Sequence, residues 1–415
     1  MATDEKDPTD GNPTDGNPTD GNPTDGNPAD DLSEVLADLH FCPQCLEANG
    51  LNGYNKDRVS REYDRLVRRI RRSGSRFRVS ALCLSGGGAR TLGFLGGLQV
   101  LESLSLLGEL RRVAGSSMGA LLAMMVALGY RIKEIREVSS ENFSLYKDRT
   151  LLSGISSMLL GGVCGTRPGF GMHSGDRLVA RLRGLIASKF GDTAPATGPA
   201  DPATAGSAGP ARDPTLKDLQ DRFGKVLMVT GVNLDHRRVE YFGPETTPEV
   251  PIYLAVRISM SYPFLFDCVP HEGCLYVDGG LIDNFPLTTV SIPDETIGFN
   301  QFRPDPARRE ARICSSESGS GSGSGSGSAS GPAPGPGESI RHVVTYLSVI
   351  RDLQARFTVQ GPVADPDGST IQANPLHLET MDFGVAPERK SDAMTIYKIL
   401  TIRHLLSRVK FMKLP

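Results

Sequence analysis

The sequence lacks the features that mark membrane-spanning and secreted proteins. No apolar run approaches the roughly 18 residues needed to span a bilayer, and the first residues are polar repeats rather than the charged-then-apolar pattern of a secretory signal. The 7 cysteines are scattered along a chain long enough to form a large core, which fits a reducing compartment better than a disulfide framework. We therefore predict a cytoplasmic protein without a signal peptide or a transmembrane segment.

An excess of charge of one sign is also missing. The formal net charge of −3 argues neither for nor against an anionic partner, and we predict no nucleic-acid partner. Local charge is more informative, because residues 56–76 read as a helix with apolar residues on one face and arginines around the rest. Such a helix can make peripheral contact with an anionic membrane, or pack its apolar face on the protein and leave the arginines in solvent.

Three tracts have compositions that cannot form a packed core. The motif PTDGN occurs four times between Pro8 and Asn27, and residues 192–214 and 315–337 consist largely of small residues and proline. We predict a disordered tail over 1–35 and flexible inserts at 192–214 and 315–337. The rest of the chain divides into an N-terminal segment over 36–75 and one α/β domain over 76–415, and the domain contains both inserts.

Two strand–turn–helix units follow one another in this domain. The apolar stretch RFRVSALCL ends at Leu84 and precedes a glycine turn and leucines at helical spacing, and a short strand near 112–114 precedes an apolar helix from about Met118. Two such units in succession predict a mostly parallel sheet with helices on both faces, a three-layer α/β/α arrangement. Further strands are predicted at 226–234, 239–243 and 296–302, and helices at 340–357 and 392–411.

The turn between the second strand and its helix reads GSSMG, which fits the pattern G-x-S-x-G with Ser117 at its centre. In this arrangement a sharp turn exposes the serine, and small neighbours let the backbone bend. The helix that follows directs its N–H groups at the serine and favours an anion there. The pattern alone also occurs in ordinary glycine-rich turns.

The stretch YVDGGLIDNFP offers the acidic partner. Asp278 follows a short apolar strand and precedes two glycines, whereas Asp283 lies in a later turn and is the weaker candidate. A Ser-His-Asp triad is the rival arrangement and needs a histidine after the acid. His342, His377 and His404 follow Asp278, but none lies in a recognisable motif.

The glycine turn SGGGART, which begins at Ser85, is open to three interpretations. A dinucleotide site needs a third glycine where Thr91 stands and an acid about 20 residues further on, and Glu109 is poorly placed for that role. A phosphate-binding loop needs a lysine that this turn lacks. An oxyanion hole needs only free backbone N–H groups, which three consecutive glycines supply.

GGGART, GSSMG and DGG, in this order, together resemble the patatin-like phospholipase family over roughly residues 78–300. The resemblance implies a serine–aspartate dyad, Ser117 and Asp278, that hydrolyses lipid acyl esters without a metal or cofactor. It also implies an oxyanion hole formed by the N–H groups of three glycines, with Arg90 adding positive charge. These glycines are Gly86, Gly87 and Gly88.

Thr91 departs from the family pattern, which usually has glycine there. Threonine disfavours a positive φ, so a turn that requires one at this position would be distorted. The alternative to an active hydrolase is therefore a catalytically inactive patatin-like domain that binds lipid or a partner. The substrate predicted for the active form is a phospholipid or another acyl lipid.

Two further stretches leave their roles open. Cys42 and Cys45 form a single C-x-x-C with His40 nearby, which amounts to half a zinc site. Cys83 and Cys164 lack the spacing to complete it, although a dimer can, and no metal site is predicted. Residues 151–165 are apolar and uncharged, and fit a lid, an interfacial loop or buried core.

Overall fold

The computed structural model describes most of the chain outside the low-complexity tracts. The described residues are 33, 35–73, 77–140, 146–160, 169–191, 212–301, 343–357, 368–380 and 384–411. The predicted disordered tail over 1–35 and the predicted inserts at 192–214 and 315–337 lie almost wholly outside these ranges.

Within the described residues, eight strands form one mixed sheet. They are β1 (Ala81–Leu84), β2 (Arg112–Gly115), β3 (Val226–Asn233), β4 (Arg238–Phe242), β5 (Val269–His271), β6 (Cys274–Asp278), β7 (Thr296–Gln301) and β8 (Thr370–Ala373). The order across the sheet is β5-β6-β3-β2-β1-β7-β8, with β4 also pairing with β3. The five neighbours from β3 to β8 are parallel, and the pairs that involve β4, β5 and β6 are antiparallel. The prediction of a mostly parallel central sheet is confirmed.

The central strands are buried on both faces and consist largely of apolar residues. Every residue of β1, with the sequence ALCL, and of β3, with the sequence VLMVTGVN, is buried. The residues of such parallel strands are buried on both faces because layers on both sides of the sheet exclude water. In the sequence, the central strands of this sheet are therefore marked by continuous apolar runs rather than by alternation of apolar and polar residues.

Eleven α-helices surround the sheet in the described part of the chain. They are α1 (Pro43–Ala48), α2 (Lys56–Ser73), α3 (Phe94–Ser103), α4 (Met118–Ala127), α5 (Ile132–Ser140), α6 (Leu151–Leu160), α7 (Asp176–Phe190), α8 (Leu216–Phe223), α9 (Ile252–Ser259), α10 (Val343–Phe357) and α11 (Pro387–Phe411). None of these helices is both long and apolar enough to cross a bilayer.

The two faces of the sheet are covered differently. Leu82 and Phe299 belong to the large core that the sheet shares with α3, α4 and α11. On the opposite face, Ala81 and Cys83 pack against the segment that contains Phe285, and β3 and β6 pack against α10. The three layers therefore consist of helices, the sheet, and a thinner layer built from one helix and the chain that follows β6.

The basic helix α2 packs its apolar face on the protein. Val59, Tyr63 and Leu66 are buried, the helix contacts α11, and the Tyr63 hydroxyl donates to Ser103 Oγ at 2.8 Å. The arginines on the opposite side are exposed. The apolar face of this helix therefore packs on the protein, and the arginines face solvent, which is the second of the two interpretations of residues 56–76.

Strand register brings the candidate site residues to one edge of the sheet. Leu84 at the end of β1 pairs with Gly115 at the end of β2, so the glycine turn and Ser117 leave the sheet side by side. On the other side of β2, Gly231 of β3 pairs with Asp278 of β6. The crevice beyond the carboxyl ends of parallel strands is where α/β sheets bind ligands.

Candidate active site

Ser117 lies in the sharp turn that joins β2 to α4. Its backbone has φ 54° and ψ −128°, a conformation that residues with a Cβ rarely adopt and that costs about 1–3 kcal/mol. Its N–H group donates to Ser259 Oγ at 3.0 Å, which ties the turn to the end of α9. The turn therefore has the strained strand-to-helix geometry that exposes a nucleophilic side chain.

Asp278 is a buried carboxylic acid with one oxygen left for chemistry. It is 1% exposed at the end of β6, and its Oδ1 accepts from the Gly280 N–H group at 2.7 Å. Among the described residues, no group donates a hydrogen bond to Oδ2. Burial raises the pKa of Asp278 from 3.8 to about 7, although the Ser117 hydroxyl and the Gly280 N–H group act to lower it.

The two side chains line one cavity and interact. The Ser117 hydroxyl lies near enough to favour the charged form of Asp278, yet it does not complete a hydrogen bond of normal geometry to Oδ2. Catalytic hydrogen bonds are often long before substrate binds. The arrangement is that of a hydroxyl beside a carboxyl whose proton affinity suits neutral pH.

The competing acid and two of the three candidate histidines lie outside the cavity. Asp283 accepts from the Tyr241 hydroxyl at 2.9 Å and from the Phe285 N–H group at 3.1 Å, and it does not line the cavity. His377 contacts Cys42 and His404 lies on α11, and neither lines the cavity. His342 lies outside the described residues.

Two of the three predicted oxyanion donors are available. The Gly86 N–H group donates to the Asn284 carbonyl at 3.0 Å, and the Asn284 side chain donates back to the Gly86 carbonyl at 3.1 Å. The N–H groups of Gly87 and Gly88 have no hydrogen-bond acceptor among the described residues. The arrangement differs from our expectation at Gly86, which lines the cavity but whose N–H group is already bonded to the Asn284 carbonyl.

A loop from the C-terminal part of the chain supports this turn. The Ala89 N–H group donates to the Thr380 carbonyl at 3.0 Å, and Arg90 Nε donates to the Leu378 carbonyl at 2.7 Å. Arg90 is buried and also lines the cavity. Its guanidinium therefore holds the loop at Leu378 and belongs to the lining of the cavity that also contains Ser117.

Thr91 fits the turn without a positive φ. It lies in a 3-10 helix, Gly88–Gly93, and it is absent from the non-glycine residues with positive φ. Its hydroxyl donates to the Gly88 carbonyl at 2.8 Å. Thr91, the residue that favoured the inactive alternative, therefore does not distort the glycine turn.

The cavity is mostly apolar beyond the polar groups at its base. It has a volume of about 370 Å³. Its apolar lining consists of Met118, Met260, Tyr262, Leu265 and Phe266. A cavity that combines an apolar lining with polar groups around Ser117 and Asp278 suits an alkyl chain attached to a polar reacting group.

Three supporting residues had no signal in the sequence. Ser259 accepts from the Ser117 N–H group, Asn284 holds both backbone groups of Gly86, and Thr380 supports the glycine turn. Each is far along the chain from the residue that it positions. Asn284 follows Asp283 directly in the stretch YVDGGLIDNFP, but its residue type gave no indication of a role at Gly86.

Comparison with known proteins identifies relatives over the same region. Residues 82–290 match the model of the family described as patatin-like phospholipase. The chain is 28% identical over 227 residues to the uncharacterized protein R571 of Acanthamoeba polyphaga mimivirus, covering 54% of this chain and 66% of that protein. It is 26% identical over 206 residues to the probable lipid hydrolase 463L of Invertebrate iridescent virus 6, covering 50% of this chain and 61% of that protein. Among solved structures, VipD from Legionella pneumophila aligns with a TM-score of 0.45 and 18% identity, over 80% of this chain and 67% of that one.

Proposed function

The chain belongs to the patatin-like phospholipase family, and from this premise we propose that it is a serine hydrolase that cleaves carboxylic ester bonds of phospholipids or other acyl lipids. One observation carries the proposal. Ser117, in a strained turn, and Asp278, with its pKa raised to about 7, line the same cavity, beside the N–H groups of Gly87 and Gly88, which have no acceptor among the described residues. These are the nucleophile, the base and the oxyanion donors of an acyl transfer.

In the acylation step, Ser117 Oγ attacks the ester carbonyl carbon and its proton passes to Asp278 Oδ2. The carbonyl oxygen gains negative charge, which the N–H groups of Gly87 and Gly88 stabilise. As the tetrahedral intermediate collapses, the bond to the alcohol oxygen breaks. That oxygen takes the proton from Asp278, and the acyl group remains on Ser117.

In the deacylation step, a water molecule attacks the acyl carbon and gives its proton to Asp278. The same N–H groups stabilise the second oxyanion. Collapse of this intermediate releases the fatty acid, and Ser117 Oγ recovers the proton from Asp278. One carboxyl thus acts as base and then as acid in each half-reaction, which requires a pKa near the working pH.

Exposed apolar side chains on two helices that contact each other support a substrate held in a membrane. Leu151 and Leu152 on α6 are 70% and 81% exposed, and Val344 on α10 is 73% exposed. The two helices contact each other, and the cavity-lining Tyr262 is 47% exposed. For the described part of 151–165, these exposures favour an interfacial segment over buried core. The arginine face of α2 can add electrostatic attraction to an anionic surface.

The paired substitution Leu151→Ser/Leu152→Ser is expected to slow hydrolysis of phospholipid vesicles about tenfold. Hydrolysis of a short-chain p-nitrophenyl ester in solution should stay within about twofold of wild type, because neither leucine lines the cavity. Initial rates on both substrates and vesicle co-sedimentation measure the two effects. Equal losses on both substrates would contradict an interfacial role for α6.

Covalent labelling tests the nucleophile. An alkyl fluorophosphonate should add one adduct to the wild-type chain, detected by intact-protein mass spectrometry, and none to Ser117→Ala. Ser188→Ala is the matched control, because Ser188 is an exposed helical serine that does not line the cavity. Fatty-acid release from vesicles should disappear in Ser117→Ala only. A folded wild-type chain that is neither labelled nor active would support the inactive lipid-binding alternative instead.

A further inference from the structure

Three potential metal ligands meet where the N-terminal segment contacts the loop after β8. Cys42, Cys45 and His377 each offer one ligand atom, and these atoms all lie within 4.8 Å of one another. Cys42 Sγ lies 3.5 Å from His377 Nε2. Zinc–sulfur and zinc–nitrogen bonds of about 2.0–2.3 Å imply ligand–ligand distances of about 3.3–3.8 Å in a tetrahedral site. The side chains are therefore close to the spacing that one ion requires.

Local structure explains why both thiols face one point. Cys42 is the N-cap of α1 and Cys45 lies in its first turn, with a proline between them at the start of the helix. His40, which lay nearest in sequence as a third ligand, contacts Asp392 instead. His377, 335 residues from Cys42, takes the third position. The sequence showed half a zinc site, and the fold supplies the ligand that was missing.

The two segments are joined independently of any ion. The Asn49 side chain donates to the Asn374 carbonyl at 3.0 Å and accepts from the Asn374 N–H group at 2.8 Å. Its amide also donates to the Cys45 carbonyl at 2.8 Å. One asparagine thus fixes the helix that carries the cysteines to the loop that carries the histidine. The ligands are held in place before an ion binds, which lowers the entropic cost of binding it.

We propose that Cys42, Cys45 and His377 bind one Zn²⁺ ion that fastens the N-terminal segment to the loop at 374–380. Two thiolates and an imidazole suit zinc better than magnesium or calcium. Within the described residues no fourth cysteine, histidine or carboxylate joins the cluster, and water fills the remaining position. This proposal goes beyond ester hydrolysis, because the ion takes no part in the reaction at Ser117.

The ion has a consequence for the glycine turn. The loop that carries His377 also provides the carbonyls of Leu378 and Thr380, which accept from Arg90 and Ala89. A bound ion would hold the same loop at His377, one residue before Leu378 and three before Thr380. Its role is therefore that of a brace behind the turn that carries the oxyanion donors.

Metal content tests the proposal directly. The full-length chain, purified without a histidine tag, is expected to contain about one zinc per molecule by elemental mass spectrometry. Cys45→Ser and His377→Ala should contain less than about a tenth of that amount, and His377→Cys should retain zinc, because three cysteines remain a suitable ligand set. Cys274→Ser is the matched control, a free and partly exposed cysteine outside the cluster.

Two further measurements distinguish loss of the zinc site from misfolding of a variant. Cobalt added to the chelator-treated wild-type chain should produce visible bands of a tetrahedral ion and a thiolate-to-metal band, both altered in His377→Ala. Chelation should lower the thermal midpoint of wild type by about 5 °C and leave that of His377→Ala unchanged. A wild-type chain without zinc or a cobalt spectrum would overturn the proposal. So would zinc retained in both variants, or a Cys42–Cys45 disulfide in the isolated protein.

Discussion

Replacement of Asp278 by asparagine is expected to lower kcat/KM about 10⁴-fold and, at pH 8, to raise the free energy of unfolding. Activity falls because asparagine cannot accept the proton of Ser117. Stability rises because the folded protein no longer holds a buried charge. The amide oxygen can still accept from the Gly280 N–H group, so the turn after β6 keeps its hydrogen bond.

The sign of the stability change follows from the pKa of the carboxyl. Its pKa is about 7 in the folded chain and near 3.8 when unperturbed, so between these pH values the folded state binds more protons than the unfolded state. Stability therefore falls as pH rises through this window, and above pH 7 the full cost is on the order of 4 kcal/mol. Denaturant unfolding of wild type and Asp278→Asn should show a larger gain at pH 8 than at pH 5.

The pH–rate profile and a control variant distinguish Asp278 as the base from the alternatives, Asp283 and a Ser-His-Asp triad. For wild type, kcat/KM should rise about tenfold per pH unit and level off above an apparent pKa near 7, since only the ionised carboxyl acts as a base. Asp283→Asn should keep its activity within about tenfold and gain no stability, because Asp283 does not line the cavity. An active Asp278→Asn would return the histidine triad to consideration.

Replacement of Gly88 by alanine should damage both the fold and the activity. Gly88 has φ +56°, and a Cβ there would lie 1.9 Å from the Thr380 carbonyl oxygen. The positive φ and the displaced carbonyl together should cost about 3 kcal/mol, measured as a loss of unfolding free energy. Movement of the N–H groups of Gly87 and Gly88 should lower kcat about 100-fold or more.

A glycine in open space provides the control for this substitution. Gly184 lies within α7, and a Cβ there would meet no atom within 4 Å. Gly184→Ala should preserve activity and add up to about 1 kcal/mol of stability, because alanine is the better helix former. If Gly88→Ala kept kcat within about threefold of wild type, the glycine turn would not be the oxyanion hole.

The parts of the site that the sequence predicted are those at strand ends. Ser117 and the glycine turn each follow an apolar strand, and parallel neighbours end at the same edge of a sheet. Asp278 could be proposed as the acid because it ends a short strand and precedes two glycines. Apolar runs and turn residues are local properties, so the α/β class and most of the predicted strands and helices were within reach of the sequence.

The parts that escaped prediction depend on contacts between distant segments. The role of Gly86 depends on Asn284, and the cluster at Cys42 depends on His377. Thr91 was judged from a family pattern, but the backbone after Gly88 forms a 3-10 helix in which a threonine hydroxyl has an acceptor. The sequence identified the apolar and basic faces of α2, but only the packing against α11 shows that the apolar face is covered by the protein.

The wide separation of the segments that meet at the glycine turn also sets when the site can form. Strand β8 begins at Thr370 and pairs with β7, and the carbonyls that support the turn belong to Leu378 and Thr380. On the ribosome these residues emerge long after Ser117 and Asp278, and such non-local pairings form slowly. Under the proposed mechanism, a nascent chain would carry Ser117 and Asp278 without the supported turn until Thr380 has been made, so hydrolysis would begin only after that point in synthesis.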